Sequence, residues 1–175
     1  MSYFPLMIDL TGELVFLVGD DPRKTEILRS FGAEVRLLEK LTAEELAENP
    51  RLVVLAGGDR GEAAGLCRDR GIPVNCVDDP ENCSFFFPAL IRRGDAVIAV
   101  SSGGQAPAAA RALKNRVEQA LPENLEQILP WLSDLTGQLR SRIPDHKTRS
   151  ALLDRITQKS FCLGRPLTRE ELDQL

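Results

Sequence analysis

Two adjacent aspartates follow a short apolar run in the segment "GIPVNCVDDP". Asp78 stands where the run ends, and Asp79 comes directly before Pro80. A carboxylate at the end of a buried strand is well placed to accept a proton from a bound substrate. Asp79 is the better cap for the turn that follows, because a residue before proline is held out of the helical region. We therefore predict that Asp78 is a general base; the alternative is that Asp78, too, only caps a turn.

A second group of residues with chemical potential occurs in "SSGGQAPAAARALKNR". Small residues end an apolar run, Pro107 begins a helical pattern, and basic residues follow on that helix. The backbone amides and hydroxyls at a helix N-terminus attract anions. We expect a site for the carboxylates of a small molecule here, although basic side chains on a helix more often only face solvent. The residues of this predicted substrate site are Ser101, Ser102, Gly103, Gly104, Arg111 and Lys114.

The turn in "LVFLVGDDPRKTEIL" lies where a strand runs into a helix and where a dinucleotide-binding fold has its phosphate loop. It contains one glycine, Gly19, followed by Asp20 and Asp21. Asp21 before Pro22 is a good helix cap with proline at the first helical position. A carboxylate about 5 Å from a phosphate costs about 3 kcal/mol at an effective dielectric constant near 20, which is more than a hundredfold in affinity. The turn therefore favours a helix start over a phosphate site.

The elements that position these residues form two patterns. Up to residue 105, short apolar runs alternate with helical stretches, which indicates parallel strands joined by helices and ligands at the carboxyl ends of the strands. After residue 105 the pattern is wholly helical, with a proline, Pro130, that we expect to kink or split the second helix. The predicted domains are 1–105 and 106–175. The predicted strands are "ELVFLVG" (13–19), "AEVRLLE" (33–39), "RLVVLAG" (51–57), "IPVNCVD" (72–78) and "DAVIAVSS" (95–102).

Composition narrows the function classes. The chain has 175 residues with 43% hydrophobic and 27% charged residues, and no apolar run is long enough to span a bilayer. No dense stripe of Lys and Arg points to nucleic acid. The start lacks a basic region followed by an apolar stretch, so we expect a cytoplasmic protein. The four cysteines have no C-x-x-C spacing, and we expect buried thiols rather than a metal site.

Three motifs in close succession, "VNCVDDP", "FFFPALIRRG" and "SSGGQAPAAAR", carry a resemblance to a known family, together with the opening "YFPLMIDLTGELVFLVG" and the helical tail. They resemble the precorrin-2 dehydrogenase/sirohydrochlorin ferrochelatase family, which includes the N-terminal module of siroheme synthase. The resemblance implies a fold of the α/β class: a Rossmann-like, doubly wound parallel sheet, a dimerisation segment at about 82–95 and a small C-terminal helical domain.

The resemblance also implies an activity. Family members oxidise precorrin-2 to sirohydrochlorin with NAD, some insert ferrous iron, and Asp78 matches the aspartate used in both steps. It further implies a homodimer with a tetrapyrrole substrate and no membrane or nucleic-acid partner. The residues that it assigns to cofactor binding are Gly19, Asp20, Asp21, Pro22, Lys40, Leu41, Gly57 and Gly58.

Two departures from the family pattern leave the function open. The family's first loop is longer and contains several glycines, and its "A-T-D-D" after the third strand is here "AGGDR", in which Gly57 and Gly58 permit close approach and Arg60 offers a positive charge. Three hypotheses remain from the sequence. They are an NAD-dependent precorrin-2 dehydrogenase, a chelatase that has lost its dinucleotide site, and a non-catalytic tetrapyrrole-binding protein.

Overall fold

The chain forms two compact units. The structure is a computed structural model that describes residues 4–103 and 105–175. The first unit runs to Phe87 and includes Gly103 and Gln105, and the second comprises Pro88–Ser102 and Ala106–Leu175. The division after Phe87 comes earlier in the chain than the predicted boundary at residue 105.

The first unit is a four-stranded parallel sheet with helical connections. The strand order is β2-β1-β3-β4, and every neighbouring pair is parallel. Val15 on β1 pairs with Val35 on β2 and with Leu52 on β3. The elements are β1 (Leu14–Val18), α1 (Pro22–Ser30), β2 (Glu34–Leu38), a 3-10 helix (Glu45–Glu48), β3 (Leu52–Leu55), α2 (Arg60–Asp69), β4 (Val74–Cys76) and a second 3-10 helix (Pro80–Asn82).

Burial on both faces explains the continuous apolar runs of the central strands. All residues of β3 are buried, as are those of β1 after Leu14. One face of the sheet packs with α2 around Phe16 and Cys67, and the opposite face packs with α1 around Leu17 and Leu28. A parallel sheet covered on both faces has no solvated side, so the strands need no polar alternation. The two cores hold the carboxyl edge of the sheet in place.

Glycine and capping residues bound the helical elements of the first unit. Helices α1 and α2 end just before Gly32 and Gly71. Thr42 and Glu45 form reciprocal capping contacts, with the Thr42 amide donating to the Glu45 carboxylate at 2.7 Å. The element that follows this cap is only the four-residue 3-10 helix, because the chain turns into β3 soon after it.

The outer edge of β4 is closed by Cys83 and Ser84, which follow it in the chain, instead of by a fifth strand. The Val74 amide donates to the Ser84 hydroxyl at 2.8 Å, and the Ser84 amide donates to the Val74 carbonyl at 2.8 Å. The Cys76 amide donates to the Cys83 sulfur at 3.1 Å, and this thiol donates back to the Cys76 carbonyl at 3.2 Å. Burial raises the pKa of the Cys83 thiol, so the thiol stays neutral and can fill both roles.

The second unit begins with an antiparallel hairpin and continues with helices. Strands β5 (Ala89–Arg93) and β6 (Ala96–Val100) pair with Arg93 opposite Ala96. The prediction of "DAVIAVSS" as a fifth parallel strand is therefore wrong. Gly94 and Asp95 form the two-residue loop that turns the chain back on itself, and Gly94 has a positive φ of 59°. Helix α3 contacts both strands, which explains why the hairpin belongs to the helical unit.

The helices of the second unit are α3 (Pro107–Ala120), α4 (Leu125–Arg142), α5 (His146–Leu163) and α6 (Arg169–Asp173). Helix α4 continues through Pro130, so the proline does not split it. The apolar side chains of α3 are only partly buried, since Ala110 is covered while Leu113 is 50% exposed. Cys162 is exposed, contrary to the expectation for the cysteines, whereas Cys67 and Cys76 are buried. Within the described residues, no helix has the length and apolarity needed to cross a bilayer.

Candidate functional site

The carboxyl ends of β1 and β3 form the crevice where an open α/β sheet of this strand order binds ligands, because the chain leaves β1 toward one side and reaches β3 on the other. Gly19 follows β1 with a φ of 87°, and Gly57 follows β3. A Cβ on Gly19 would lie 2.7 Å from the Gly57 nitrogen. Both turns therefore meet backbone to backbone, and the floor of the crevice carries no side chain at these two positions.

The start of α1 is occupied by a carboxylate of the chain. Asp21 accepts a hydrogen bond from the Lys24 amide at 2.9 Å, and its other oxygen lies 2.7 Å from the Lys24 ammonium. Pro22 is the first helical residue and has no N–H. The Lys24 ammonium also lies 5.7 Å from the centroid of the Phe87 ring. The predicted cap is confirmed, and the amide and the ammonium that would meet a phosphate are both engaged by Asp21.

The titration behaviour of Asp21 follows from these contacts. Burial alone would raise the pKa of the Asp21 carboxyl, but hydrogen bonds from the ammonium and amide of Lys24 outweigh it and hold that pKa below its usual value. Asp21 is therefore ionised at neutral pH. Its neighbour Asp20 is exposed at the same turn, so a ligand phosphate would meet two carboxylates here.

The turn after β3 leads into a second capped helix. Gly58 has a φ of 70°, and Asp59 accepts a hydrogen bond from the Glu62 amide at 3.1 Å at the start of α2. Both helix starts at this edge of the sheet are thus capped by aspartate. Arg60, the first residue of α2, is half-buried and donates to the carbonyl oxygen of Val77.

Asp78 lies in the turn after β4 and is exposed. Its φ is 60°, and the turn is closed by a hydrogen bond from the Asp79 amide to the Cys76 carbonyl at 3.3 Å. Asp79 precedes the second 3-10 helix and accepts a hydrogen bond from the Asn82 side chain at 2.8 Å. Within the described residues, the Asp78 carboxylate has neither a hydrogen bond nor an ion pair. It is open to a substrate, whereas the Asp79 carboxylate is used by the fold.

Lys40 and Leu41, which follow β2, differ in the exposure of their side chains. Lys40 is exposed, whereas Leu41 is 3% exposed and belongs to the core on the α2 face. Leu41 therefore offers a ligand its backbone and not its side chain. Their assignment to a cofactor stays a prediction.

The predicted substrate residues of the second unit lie around the start of α3. Ser102 accepts a hydrogen bond from the Ala106 amide at 3.1 Å, so its oxygen completes the helix start while its hydroxyl hydrogen remains available for donation. Arg111 is exposed, whereas Lys114 forms an ion pair with Glu118 at 2.7 Å. Glu118 is also 3.5 Å from Arg93. Of the two basic residues, Arg111 is the better one to bind an anion.

Three further points complete the placement of the predicted residues. Ser101 is exposed just after β6, and Gly103 has a φ of 65° and belongs to the first unit. Gly104 lies outside the described residues. The described positions contain no group of three or more His, Cys, Asp or Glu side chains that could hold a metal ion.

Comparison with known proteins gives one match to the first unit and several matches to most of the chain. A family model described as "Putative NAD(P)-binding" matches residues 6–89. Siroheme synthase of Azotobacter vinelandii is 33% identical over 90% of this chain and 40% of its own length. Siroheme synthase of Neisseria meningitidis serogroup C is 36% identical over 81% of this chain and 35% of its own length. These similarities support the resemblance to the precorrin-2 dehydrogenase/sirohydrochlorin ferrochelatase family.

A solved structure supports the fold along nearly the whole length of the chain. "SirC, precorrin-2 dehydrogenase" is similar with a TM-score of 0.69 and 18% identity, covering 98% of this chain and 96% of that chain. The siroheme synthases are longer, and this chain spans about two fifths of their length. A Rossmann-like fold is thereby confirmed.

The residues present fit a dinucleotide only in part. The glycine contact between the β1 and β3 turns fits the close backbone approach that such a ligand needs. The start of α1 does not fit a diphosphate, because Asp21 already occupies the Lys24 amide and ammonium. Sequence reasoning found this conflict from the Asp-Pro pair. It did not find the contact between Arg60 and Val77, which joins residues far apart in sequence.

Proposed function

We propose that this chain oxidises precorrin-2 to sirohydrochlorin in siroheme biosynthesis, with NAD as the oxidant. The observation that carries the proposal is the Asp78 carboxylate, which is exposed and without a structural partner in the described residues, at the carboxyl edge of a dinucleotide-binding type of sheet. The family relationship supports the same reaction. NAD, when bound, supplies the hydride acceptor.

The part of the reaction that falls to Asp78 is proton transfer. Oxidation of the reduced macrocycle breaks C–H and N–H bonds, and one hydrogen leaves as a hydride while another leaves as a proton. A carboxylate that is exposed and not held by the fold can be positioned to receive this proton and then to pass it to water. Asp78 meets this requirement, whereas the Asp79 carboxylate is held by the Asn82 side chain.

The substrate carboxylates are proposed to bind at the start of α3 and along its first turns. Precorrin-2 carries acetate and propionate side chains, which are anionic at neutral pH. The Ser102 hydroxyl and the Arg111 guanidinium are the groups that offer donors there. Ser101, Gly103, Gly104 and Lys114 complete the proposed set.

A second candidate function is iron insertion into sirohydrochlorin without dehydrogenase activity. It is favoured by the Asp21 carboxylate, which takes both donors of Lys24 at the position where a cofactor diphosphate would bind. In this reaction ferrous iron is a substrate, and Asp78 would accept the protons that the pyrrole nitrogens release. The macrocycle site would be the same in both reactions.

One pair of assays separates the two candidates. Purified protein is titrated with NAD by calorimetry, and anaerobic turnover of precorrin-2 is followed by NADH absorbance. The proposed function predicts binding and NADH formation. Iron insertion with no NADH formation and no NAD binding at millimolar concentration would replace it with the chelatase. Tetrapyrrole binding with neither reaction would point to a non-catalytic binding protein.

We also propose that the chain is a homodimer in the cytoplasm. Phe85 and Phe87 pack against the sheet core of their own chain, with ring centroids 5.6 Å apart. These two aromatic side chains of the predicted dimerisation segment 82–95 therefore offer a partner subunit only part of their surface. Exposed apolar side chains lie instead near the start of the described chain, where Phe4, Leu6 and Met7 are at least 70% exposed. Light scattering should give twice the chain mass of 19.3 kDa, and a 19.3 kDa species at micromolar concentration would contradict the dimer.

A further inference from the structure

The turn that carries Asp78 has a conformation that its sequence does not favour. Among the described residues, only Asn49, Asp78 and Asn124 combine a side chain with a positive φ. Asp78 is the third residue of the turn from Cys76 to Asp79, and Val77 before it has an ordinary φ. A positive φ at the third position alone is the pattern of a type II turn, in which glycine is preferred. Something outside the turn must therefore stabilise this form.

A type I turn is the competing form for the same four residues. It would give Asp78 an ordinary negative φ, and the two forms differ mainly by a flip of the peptide between Val77 and Asp78. The flip reverses the direction of the Val77 carbonyl. The Val77 amide is fixed to the Leu55 carbonyl of β3 at 2.9 Å, so this side of the turn does not move with the flip. The direction of one carbonyl distinguishes the two forms.

Arg60 holds that carbonyl. Its guanidinium donates to the Val77 carbonyl oxygen, and it forms no ion pair with the described carboxylates. A charged donor on a neutral carbonyl makes a stronger hydrogen bond than a neutral donor. Burial raises the pKa of the Cys76 thiol to about 11, and the charge of Arg60 opposes this rise, in keeping with a guanidinium close to the turn.

We propose that Arg60 is a positioning residue that, by binding the Val77 carbonyl, keeps the Asp78 turn in its type II form and so directs the Asp78 carboxylate to the substrate. The catalytic part of this inference rests on the proposed role of Asp78 as proton acceptor. The coupling between Arg60 and the turn does not. Two measurements therefore test the inference, one of which needs no substrate.

The first measurement is a thermal double-mutant cycle of Asp78→Gly and Arg60→Ala. Glycine removes the strain of a positive φ, so Asp78→Gly should raise the Tm of the wild-type protein by about 1 to 4 °C. In the Arg60→Ala background the turn relaxes to type I, in which residue 78 has a negative φ and no strain to relieve. Glycine at position 78 then only increases the conformational entropy of the unfolded chain, so Asp78→Gly should lower the Tm. Equal Tm changes in both backgrounds would overturn the coupling.

The second measurement is turnover of precorrin-2. Arg60→Ala should lower kcat about tenfold or more and change KM less than about threefold, because the base is misdirected while binding is kept. Arg60→Lys should recover part of the loss, since an ammonium can donate to the same carbonyl. Arg68→Ala is the matched control: Arg68 is on the same helix and donates to the Asn82 side chain at 3.3 Å, so kcat should stay within about twofold of wild type.

The two failures are distinguishable. A wild-type protein without precorrin-2 turnover would overturn the proposed function, yet the reversal of the Tm effect would still decide whether Arg60 sets the turn. Normal turnover of Arg60→Ala, with circular dichroism showing an intact fold, would overturn the positioning role while the proposed function stands. A loss of kcat that Arg60→Lys does not recover, or that Arg68→Ala shares, would also count against it.

Discussion

The turn after β1 and the turn after β4 both place aspartates at the carboxyl edge of one sheet, and the fold uses them in opposite ways. Asp21 caps α1 and pairs with Lys24, so its charge is balanced within the chain. Asp78 has no such partner among the described residues and stands in a backbone conformation that costs energy. The first carboxylate stabilises the structure, and the second is available for chemistry.

The difference teaches that the role of a carboxylate at a sheet edge follows from its partners and not from its position. An aspartate with two donors is held in one place and resists protonation. An unpaired aspartate is free to gain and lose a proton during turnover. The same reasoning opposes a simple cofactor site at the β1 turn, because the group that stabilises α1 also repels a diphosphate.

The largest expected effect is on turnover at the β4 turn. Asp78→Ala should lower kcat for precorrin-2 by a hundredfold or more, the usual range for loss of a general base being about 10² to 10⁴. The Tm should fall only slightly, because the carboxylate has no structural partner in the described residues and the only cost is that alanine tolerates a positive φ less well than aspartate. Asp79→Asn is the control and should keep activity within about threefold, since an amide oxygen can still accept from Asn82. If Asp78→Ala kept activity within threefold of wild type, Asp78 would have no catalytic role, and the proposed functional difference between the two turns would be wrong.

The next effect concerns NAD affinity at the β1 turn. Replacing Asp20 and Asp21 together with asparagine should tighten NAD binding by one to two orders of magnitude, since about 1.4 to 3 kcal/mol of repulsion is removed. The gain should shrink with added salt, because an exposed charge is screened within about 10 Å at 0.1 M ionic strength. Calorimetry provides the affinities. Asp59→Asn, the matching cap of α2, should give no comparable gain, and an equal gain would assign the effect to overall charge.

A smaller effect tests the backbone contact beneath the β1 turn. Gly19→Ala should lower the free energy of unfolding by about 2 kcal/mol or more, because alanine at a positive φ is strained and its Cβ would meet the Gly57 backbone at 2.7 Å. Gly57→Ala should cost less, since its nearest neighbour would be 3.3 Å away. Urea unfolding of the two variants measures both values. Equal costs would show that the contact does not limit the turn.

The smallest effect is the pH dependence of the Asp21 cap. The pKa of Asp21 is lowered in the folded protein, so its charge stabilises the fold fully above the usual value of 3.8 and this contribution is lost as pH falls through the lower folded value. Asp21→Asn keeps a capping oxygen and removes the charge. Its free energy of unfolding should be about 0.5 to 1 kcal/mol below that of wild type at pH 6, and the gap should shrink as pH falls below 3.8 and close once the pH is below the lowered folded pKa of Asp21. A gap independent of pH would exclude the ion pair as its cause.

Much of the first unit follows from its sequence, because buried parallel strands and capped helices have local signals. The four runs that form β1 to β4 and the Asp-Pro cap of α1 are of this kind. The error at residues 95–102 arose because an apolar run does not tell a parallel strand from a hairpin arm. The Gly94-Asp95 pair between two apolar runs was the available signal for the hairpin.

The candidate site was only half predictable. The place of Asp78 after β4 follows from the pattern of strands. Its positive φ and the hold of Arg60 on Val77 depend on contacts between separate elements, which no local pattern encodes. The family resemblance could not supply them either, because Arg60 stands in a segment where this chain departs from the family.

The closed edge of β4 has a consequence for how the protein behaves in a crowded solution. Unpaired strand edges recruit strands from other molecules and start aggregation. On β4 the outward amide and carbonyl groups of Val74 and Cys76 are taken by the hydroxyl and amide of Ser84 and by the Cys83 thiol, so these groups are not left for a further strand. The opposite edge, β2, carries the exposed charged residues Glu34 and Arg36. The sheet thus ends at four strands, with one edge closed by its own chain and the other lined with charged side chains that disfavour the addition of a further strand.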